Sequence, residues 1–66
     1  MKDKDQVEAV IRMQDYIHAH IHEALSIEDV CAVSGYSQRH ALRVFRTLLH
    51  KPVFAYIRDL RLRIAA

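Results

Sequence analysis

Arg39, Arg43 and Arg46 stand at i, i+4 and i+7, so on a helix they form one stripe of guanidinium groups. A guanidinium can bond guanine O6 and N7 through two parallel N–H groups, and it also pairs with phosphate. That is the chemistry of a nucleic-acid contact; the plain alternative is a solvated basic face on an ordinary helical domain. His18 and His22, also at i, i+4, would share a helix face and could hold a zinc pair. No third ligand stands at a supporting spacing, so no metal is expected. Cys31 is the one cysteine, which excludes an internal disulfide and a multi-cysteine metal site. It reads as a small hydrophobe where two helices cross, with no activating partner beside it. No nucleophile has a base at hand, no paired carboxylates suggest a pocket, and a single glycine excludes a phosphate-cradling loop. The chain is therefore not expected to be an enzyme or to carry a cofactor.

An arginine stripe is useful only if it is held in place, and residues 26–50, SIEDVCAVSGYSQRHALRVFRTLLH, are organised to hold it. Ser26 is a good N-cap, with Asp29 three positions on as the acidic partner of a capping box. Ile27 and Val30 give a short apolar face that ends near Ser34. Gly35 supplies the φ > 0 residue that stops a helix cheaply. Ser37 caps a second helix, which carries Ala41, Val44, Phe45 and Leu48 at i, i+3, i+4 and i+7. A short helix, a glycine turn and a longer helix make the layout of a helix-turn-helix. Arg39 and Arg43 then lie in the first two turns of the second helix, where a recognition helix meets base edges.

The rest of the chain bounds the architecture. Its 66 residues are 52% apolar with one Gly and one Pro, which predicts one small all-α domain of four helices. A chain this short buries only about 60% of the surface its unfolded form exposes, so marginal stability is expected. No uncharged apolar run approaches spanning length and nothing resembles a signal peptide, so the expected location is the cytoplasm with no membrane partner. The net charge of +2 hides a polarity. Residues 1–30 hold seven acidic and three basic side chains, a net of −4; residues 31–66 hold seven basic and one acidic, a net of +6. Such asymmetry points to contact with a polyanion through one surface only.

Residues 1–5 are charged and expected to fray as a flexible N-terminus. Residues 6–23 are helical in pattern, with Val7, Val10, Ile11, Ile17 and Ile21 on one stripe and Tyr16 at its flank. Such a helix spans about 27 Å, enough to brace both helices of the motif. Leu25 is expected to tuck into the core, Val30 and Cys31 to face inward, and Val33 to be more exposed. After Leu49 the second motif helix ends at His50–Lys51–Pro52, and proline suits the start of another helix. Val53, Tyr56, Ile57, Leu60 and Ile64 mark that helix. Arg58, Arg61 and Arg63 decorate its other sides, with Asp59 placed to pair with Arg63. The pattern reaches Ala66 with no cap, Gly or turn residue, as a fragment would. The predicted organisation is a three-helix helix-turn-helix subdomain over 6–51 followed by a helix over 52–66.

LSIEDVCAVSGYSQRHALRVFR followed by YIRDLRLRIAA resembles the DNA-binding domain of the AraC/XylS family of bacterial transcription regulators. The matching features are the LS-x-x-x-V start, the SGYS turn, Arg43–Val44–Phe45, and the Y-I-R-x-x-R-L-x-x-A run from Tyr56 to Ala65. The resemblance covers residues 16–66. It implies the first of two helix-turn-helix units and the start of the linker helix that joins them, the second unit being absent from this chain. It makes residues 38–49 the recognition helix, with Arg39, Leu42 and Arg43 facing bases and Arg46 on phosphate. Ser37, Gln38 and His40 lie near the N-terminus of that helix, where N–H groups and side chains hold phosphate. Leu42 stands where a polar reader is common, Ala41 where a bulkier core residue is usual, and His50 in place of the usual glycine. A left-handed residue at His50 would be strained.

The resemblance implies double-stranded DNA as partner, RNA polymerase as a second partner, and a bacterial, nucleoid-associated protein. The competing class is a helical protein-interaction or dimerisation module built on Val33, Leu42, Leu49 and Leu62, which would make the chain a homodimer. One recognition helix with three or four phosphate contacts is expected to bind with a Kd of about 10⁻⁴–10⁻⁶ M at physiological salt, close to non-specific association.

Overall fold

The structure, a computed structural model, describes the backbone of residues 2–65 and the side chains of residues 4–64. The described residues form α1 (Lys2–Ala19), α2 (Ile27–Ala32), α3 (Gln38–Leu49) and α4 (Val53–Ala65). The architecture is all-α, as expected. Both ends of the first helix differ from the expectation. Met1 lies outside the described residues, and α1 begins at Lys2, within the stretch expected to be a flexible N-terminus. At the other end the His20 N–H is shared between the carbonyls of Tyr16 (3.1 Å) and Ile17 (3.3 Å), a tight closing turn that ends α1 at Ala19. His22 therefore lies off the helix and does not share a face with His18. The His20 ring pairs with Glu23 at 3.1 Å instead.

The inner face of α1 is Ala9, Val10, Met13 and Ile17, all buried, and Ile21 in the turn that follows is buried with them. Val7 and Ile11, expected on that stripe, are 44% and 47% exposed. Ile11 is one residue, about 100°, round from Val10, and Met13 fills the inward position. In α2, Val30 and Cys31 are buried as expected. Burial pushes the Cys31 thiol above its usual range, which suits its reading as a small hydrophobe. Ser26 occupies the N-cap and its carbonyl accepts the Val30 N–H at 3.0 Å. Its hydroxyl makes no capping bond, so the capping box does not form. Glu28 and Asp29 in the first turn meet the helix dipole by charge instead.

The α3 core face is as the spacing predicts: Ala41, Val44 and Phe45 are buried and Leu48 packs against them. Ala41 is fully covered, so its neighbours close over the smaller side chain. Phe45 meets the ring of Tyr56 edge-on at 5.4 Å. The Tyr56 hydroxyl lies 2.8 Å from His18 Nε2 and accepts a longer bond from Gln14 Nε2 at 3.5 Å, tying α4 to α1. His50 ends α3 in the left-handed region, φ 60° and ψ 25°, donating its N–H to the Arg46 carbonyl at 2.8 Å. The strain foreseen at this position is present.

Pro52 precedes α4 and its carbonyl accepts the Tyr56 N–H at 3.1 Å. Val53 and Ile57 are buried, and Tyr56 and Leu60 are half-buried against the core. Ile64, on the same stripe, is exposed because the helix has by then run past the body it packs on. Asp59 does not pair with Arg63. The amine of Lys51, on the connector before α4, reaches it at 2.9 Å, with Arg58 at 3.5 Å. These cations, Lys51 foremost through its hydrogen bond, hold the Asp59 carboxyl below the usual range. Val33, Leu42 and Leu49 are half-buried against the core rather than exposed; of the expected apolar surface only Leu62 stands out, joined by Phe54. No helix among the described residues is long and apolar enough to cross a membrane.

Candidate nucleic-acid interface

α3 has two faces of opposite character. Its inner side is the buried trio Ala41, Val44 and Phe45, while Arg39, Arg43 and Arg46 are exposed on the outside. Among the described residues none of these three guanidinium groups has an ion-pair or hydrogen-bond partner. The other cations of the basic half are more engaged: Lys51 on Asp59, Arg58 near Asp59, and Arg61 on two backbone carbonyls. Arg61 donates from Nη2 to the Glu23 carbonyl at 2.8 Å and from Nε to the Ile21 carbonyl at 3.4 Å, clamping α4 to the α1–α2 connector. The free positive charge of residues 31–64 is thus concentrated on α3, with Arg63 at the far end of α4. An uncompensated guanidinium stripe on a fixed helix is a surface that binds anions in a row.

The N-terminal end of α3 brings Ser37, Arg39, His40 and Arg43 around one open hollow. The Ser37 hydroxyl is already used, accepting the His40 N–H at 3.3 Å as the helix cap. The His40 ring is stacked on Tyr36, centroids 4.3 Å apart, and Gln38 is exposed beside it. Leu42 is set differently. It is half-buried and lines an apolar groove of about 470 Å³ with Ile27, Val53 and Phe54, on the side of α3 that faces α4. Arg43 and Arg46 form the rim of that groove. Of the expected base-facing residues, Arg39 and Arg43 are fully presented and Leu42 offers only its outer edge.

What aims α3 is the turn before it. Gly35 has φ +83°, and a Cβ there would come no closer than 4.0 Å to the Arg12 Nη2, so backbone conformation rather than crowding favours glycine. Ser34 is buried with its hydroxyl fully used: it donates to the Cys31 carbonyl at 2.6 Å and accepts the Tyr36 N–H at 3.0 Å. Arg12, from the middle of α1, donates from Nε to the Val33 carbonyl at 3.0 Å and from Nη2 to the Ser34 carbonyl at 2.8 Å. It satisfies carbonyls that the end of a short helix leaves without partners and adds a cation at the negative end of that helix. Sequence reasoning missed Arg12, the stacking of Tyr36 on His40, and Thr47, whose hydroxyl donates to the Arg43 carbonyl at 2.8 Å. Arg12 left one signal: it is the only arginine in an otherwise acidic first half.

A buried trio, a braced glycine turn and an outward arginine stripe make the layout of a helix-turn-helix. Known proteins agree. The chain is 42% identical over 52 residues to Regulatory protein SoxS of Salmonella typhimurium, covering 79% of this chain and 49% of that protein. It is 38% identical over 55 residues to the putative HTH-type transcriptional regulator YkgA of Escherichia coli, covering 83% of this chain and 23% of the relative. To the uncharacterized HTH-type transcriptional regulator YbfP of Bacillus subtilis it is 40% identical over 58 residues, covering 88% and 20%. The chain spans about half the length of the SoxS relatives and a smaller share of the other two. Neither a family model nor a solved structure matches it. Over most of its length the chain is similar to part of each of these regulators, in keeping with the resemblance of its sequence to the DNA-binding domain of the AraC/XylS family.

Proposed function

We propose that this chain is the DNA-contacting part of a bacterial transcription regulator, with α3 lying in the major groove. The observation that carries the reading is the split of α3: three exposed guanidinium groups without partners on one side and a buried apolar trio on the other. Arg39 and Arg43, in the first two turns, read base edges, and Leu42 beside them meets a thymine methyl with its exposed edge. Arg46, Gln38 and His40 hold phosphate, with Ser37 contributing as the cap at the helix N-terminus. The two relatives named as HTH-type transcriptional regulators favour this over a pure interaction module and over an enzyme.

The remaining expectations are part of the same proposal. α4 acts as the start of a linker helix toward a second helix-turn-helix unit, a reading supported by the half-length match to SoxS. A regulator of this kind works in the bacterial cytoplasm at the nucleoid and acts on RNA polymerase. Alone, one such unit binds duplexes weakly and with little sequence preference, with a Kd of about 10⁻⁴–10⁻⁶ M at physiological salt. The test is a titration of a labelled mixed-sequence duplex at low salt with the wild type and with Arg39, Arg43 and Arg46 all changed to Ala. Loss of salt-sensitive binding in the folded triple variant supports α3 as the DNA surface; undiminished binding rejects it.

A further inference from the structure

The most exposed large apolar side chains among the described residues lie on α4, and one of them, Phe54, also lines the groove that Arg43 and Arg46 rim. Phe54 and Leu62 are 63% and 64% exposed, and with Arg58 between them they form an i, i+4, i+8 row along the outer face of α4. Beside this row runs an open groove of about 530 Å³, floored by Leu25, Ile27 and Ile57 and walled by Arg58 and Arg61. A symmetric pairing of two such faces, antiparallel about the middle of the row, would set Arg58 against its own copy, so the occupant has to be acidic as well as apolar. The same chain carries such a face. Val7, Ile11 and Asp15 form an i, i+4, i+8 row on the outside of α1 with Glu8 alongside, all exposed; of the exposed cations beside it, Arg12 is turned to the Val33 and Ser34 carbonyls and Lys4 lies at the N-terminal end of the row. The row is rigid, since α1 is an 18-residue helix anchored by its buried opposite face.

We propose that the outer row of α1 in one copy docks in the α4 groove of a second copy. Val7 and Ile11 sit about 6 Å apart along their helix, and Phe54 and Leu62 about 12 Å apart along theirs. The two apolar side chains of α1 therefore lie within the span of the two of α4, over the aliphatic stem of Arg58. Glu8 and Asp15 then face Arg58 and the outer edge of Arg61, so charge selects the partner face while apolar area holds it. The polarity of the chain, −4 in residues 1–30 and +6 in residues 31–66, acts in the same sense over longer range. The contact is heterologous: each copy uses one face and leaves the other free, so assembly continues beyond the dimer as concentration rises. Arg39 and Arg43 lie outside it, so every added copy brings another presented α3. The docking itself stands apart from the DNA reading.

Sedimentation equilibrium without DNA tests it, up to about 1 mM protein, the weak end of measurable association. The wild type should show an average mass that climbs past two chains, and that falls back toward one when salt is raised from about 0.05 to 0.5 M. Two variants isolate the faces: Val7→Ser with Ile11→Ser removes the row, and Phe54→Ser with Leu62→Ser removes the groove. All four side chains are exposed, and circular dichroism checks that both variants remain helical. Each variant alone should stay at one chain. Their mixture should reassociate and stop at two, because only one intact row and one intact groove remain. A monomeric wild type at 1 mM, variants that associate like the wild type, or a mixture that stays monomeric would each overturn the proposal and leave the groove to a different occupant.

Discussion

Arg43 is central to the candidate interface and also rims the groove that Leu42 lines, so its replacement tests both roles. Arg43→Ala is expected to weaken duplex binding and relax preference at one base position, by about 1–3 kcal/mol where the contact is bidentate. Binding of a panel of duplexes that is unchanged in strength and ranking would remove it as a base reader. At His50 the direction reverses. Its left-handed backbone costs a side-chain-bearing residue about 1 kcal/mol, so His50→Gly should raise stability by roughly that amount in urea unfolding. Asp59 supplies a pH dependence. Its folded pKa is lowered by Lys51, so its contribution is present above the unfolded value of about 3.9 and is lost as pH falls through the folded one. Asp59→Asn should therefore be less stable than the wild type near pH 6, with the difference vanishing in strong acid.

The elements show where sequence reasoning reaches and where it stops. α3 was legible to its ends, 38–49, because Ser37, Gly35 and the Ala41–Val44–Phe45 spacing are local signals that do not depend on the rest of the fold. α1 was legible as a helix but not in its limits or phase. Its pattern of valines and isoleucines fits two stripes, and only the packing of Met13 shows which one faces the core. The arginine stripe could be read from spacing, but its freedom could not. That required seeing Lys51 taken by Asp59 and Arg61 taken by carbonyls forty and thirty-eight residues away in sequence. Arg12 was illegible for the same reason, since its partners lie twenty-one and twenty-two residues on. Arg12→Met should keep the aliphatic stem but release the turn, costing about 1–2 kcal/mol of stability. Amide exchange at Ser34–Tyr36 should then speed up while that of the α3 interior follows only the global loss.

At the scale of the whole molecule, a 66-residue chain has about 3–10 kcal/mol of folding stability to lose. Phe45 is fully buried on α3 and meets Tyr56 of α4 edge-on, and Phe45→Ala should cost about 3–5 kcal/mol. A chain so close to its threshold should then be largely unfolded at 25 °C by circular dichroism, whereas Arg39→Ala on the outer face should leave the melting curve in place. The architecture thus separates two tasks: α1, α2 and α4 fix the pose of α3, and α3 presents the charge. The most direct test of that division is fluorescence anisotropy of a labelled mixed-sequence duplex at low salt, comparing wild type with the Arg39, Arg43 and Arg46 triple alanine variant. The expected result is binding by the wild type that weakens steeply with salt, and its loss in a variant whose helical signal is intact. Salt-sensitive binding that survives the triple change would place the DNA surface on α4 and contradict the assignment of α3.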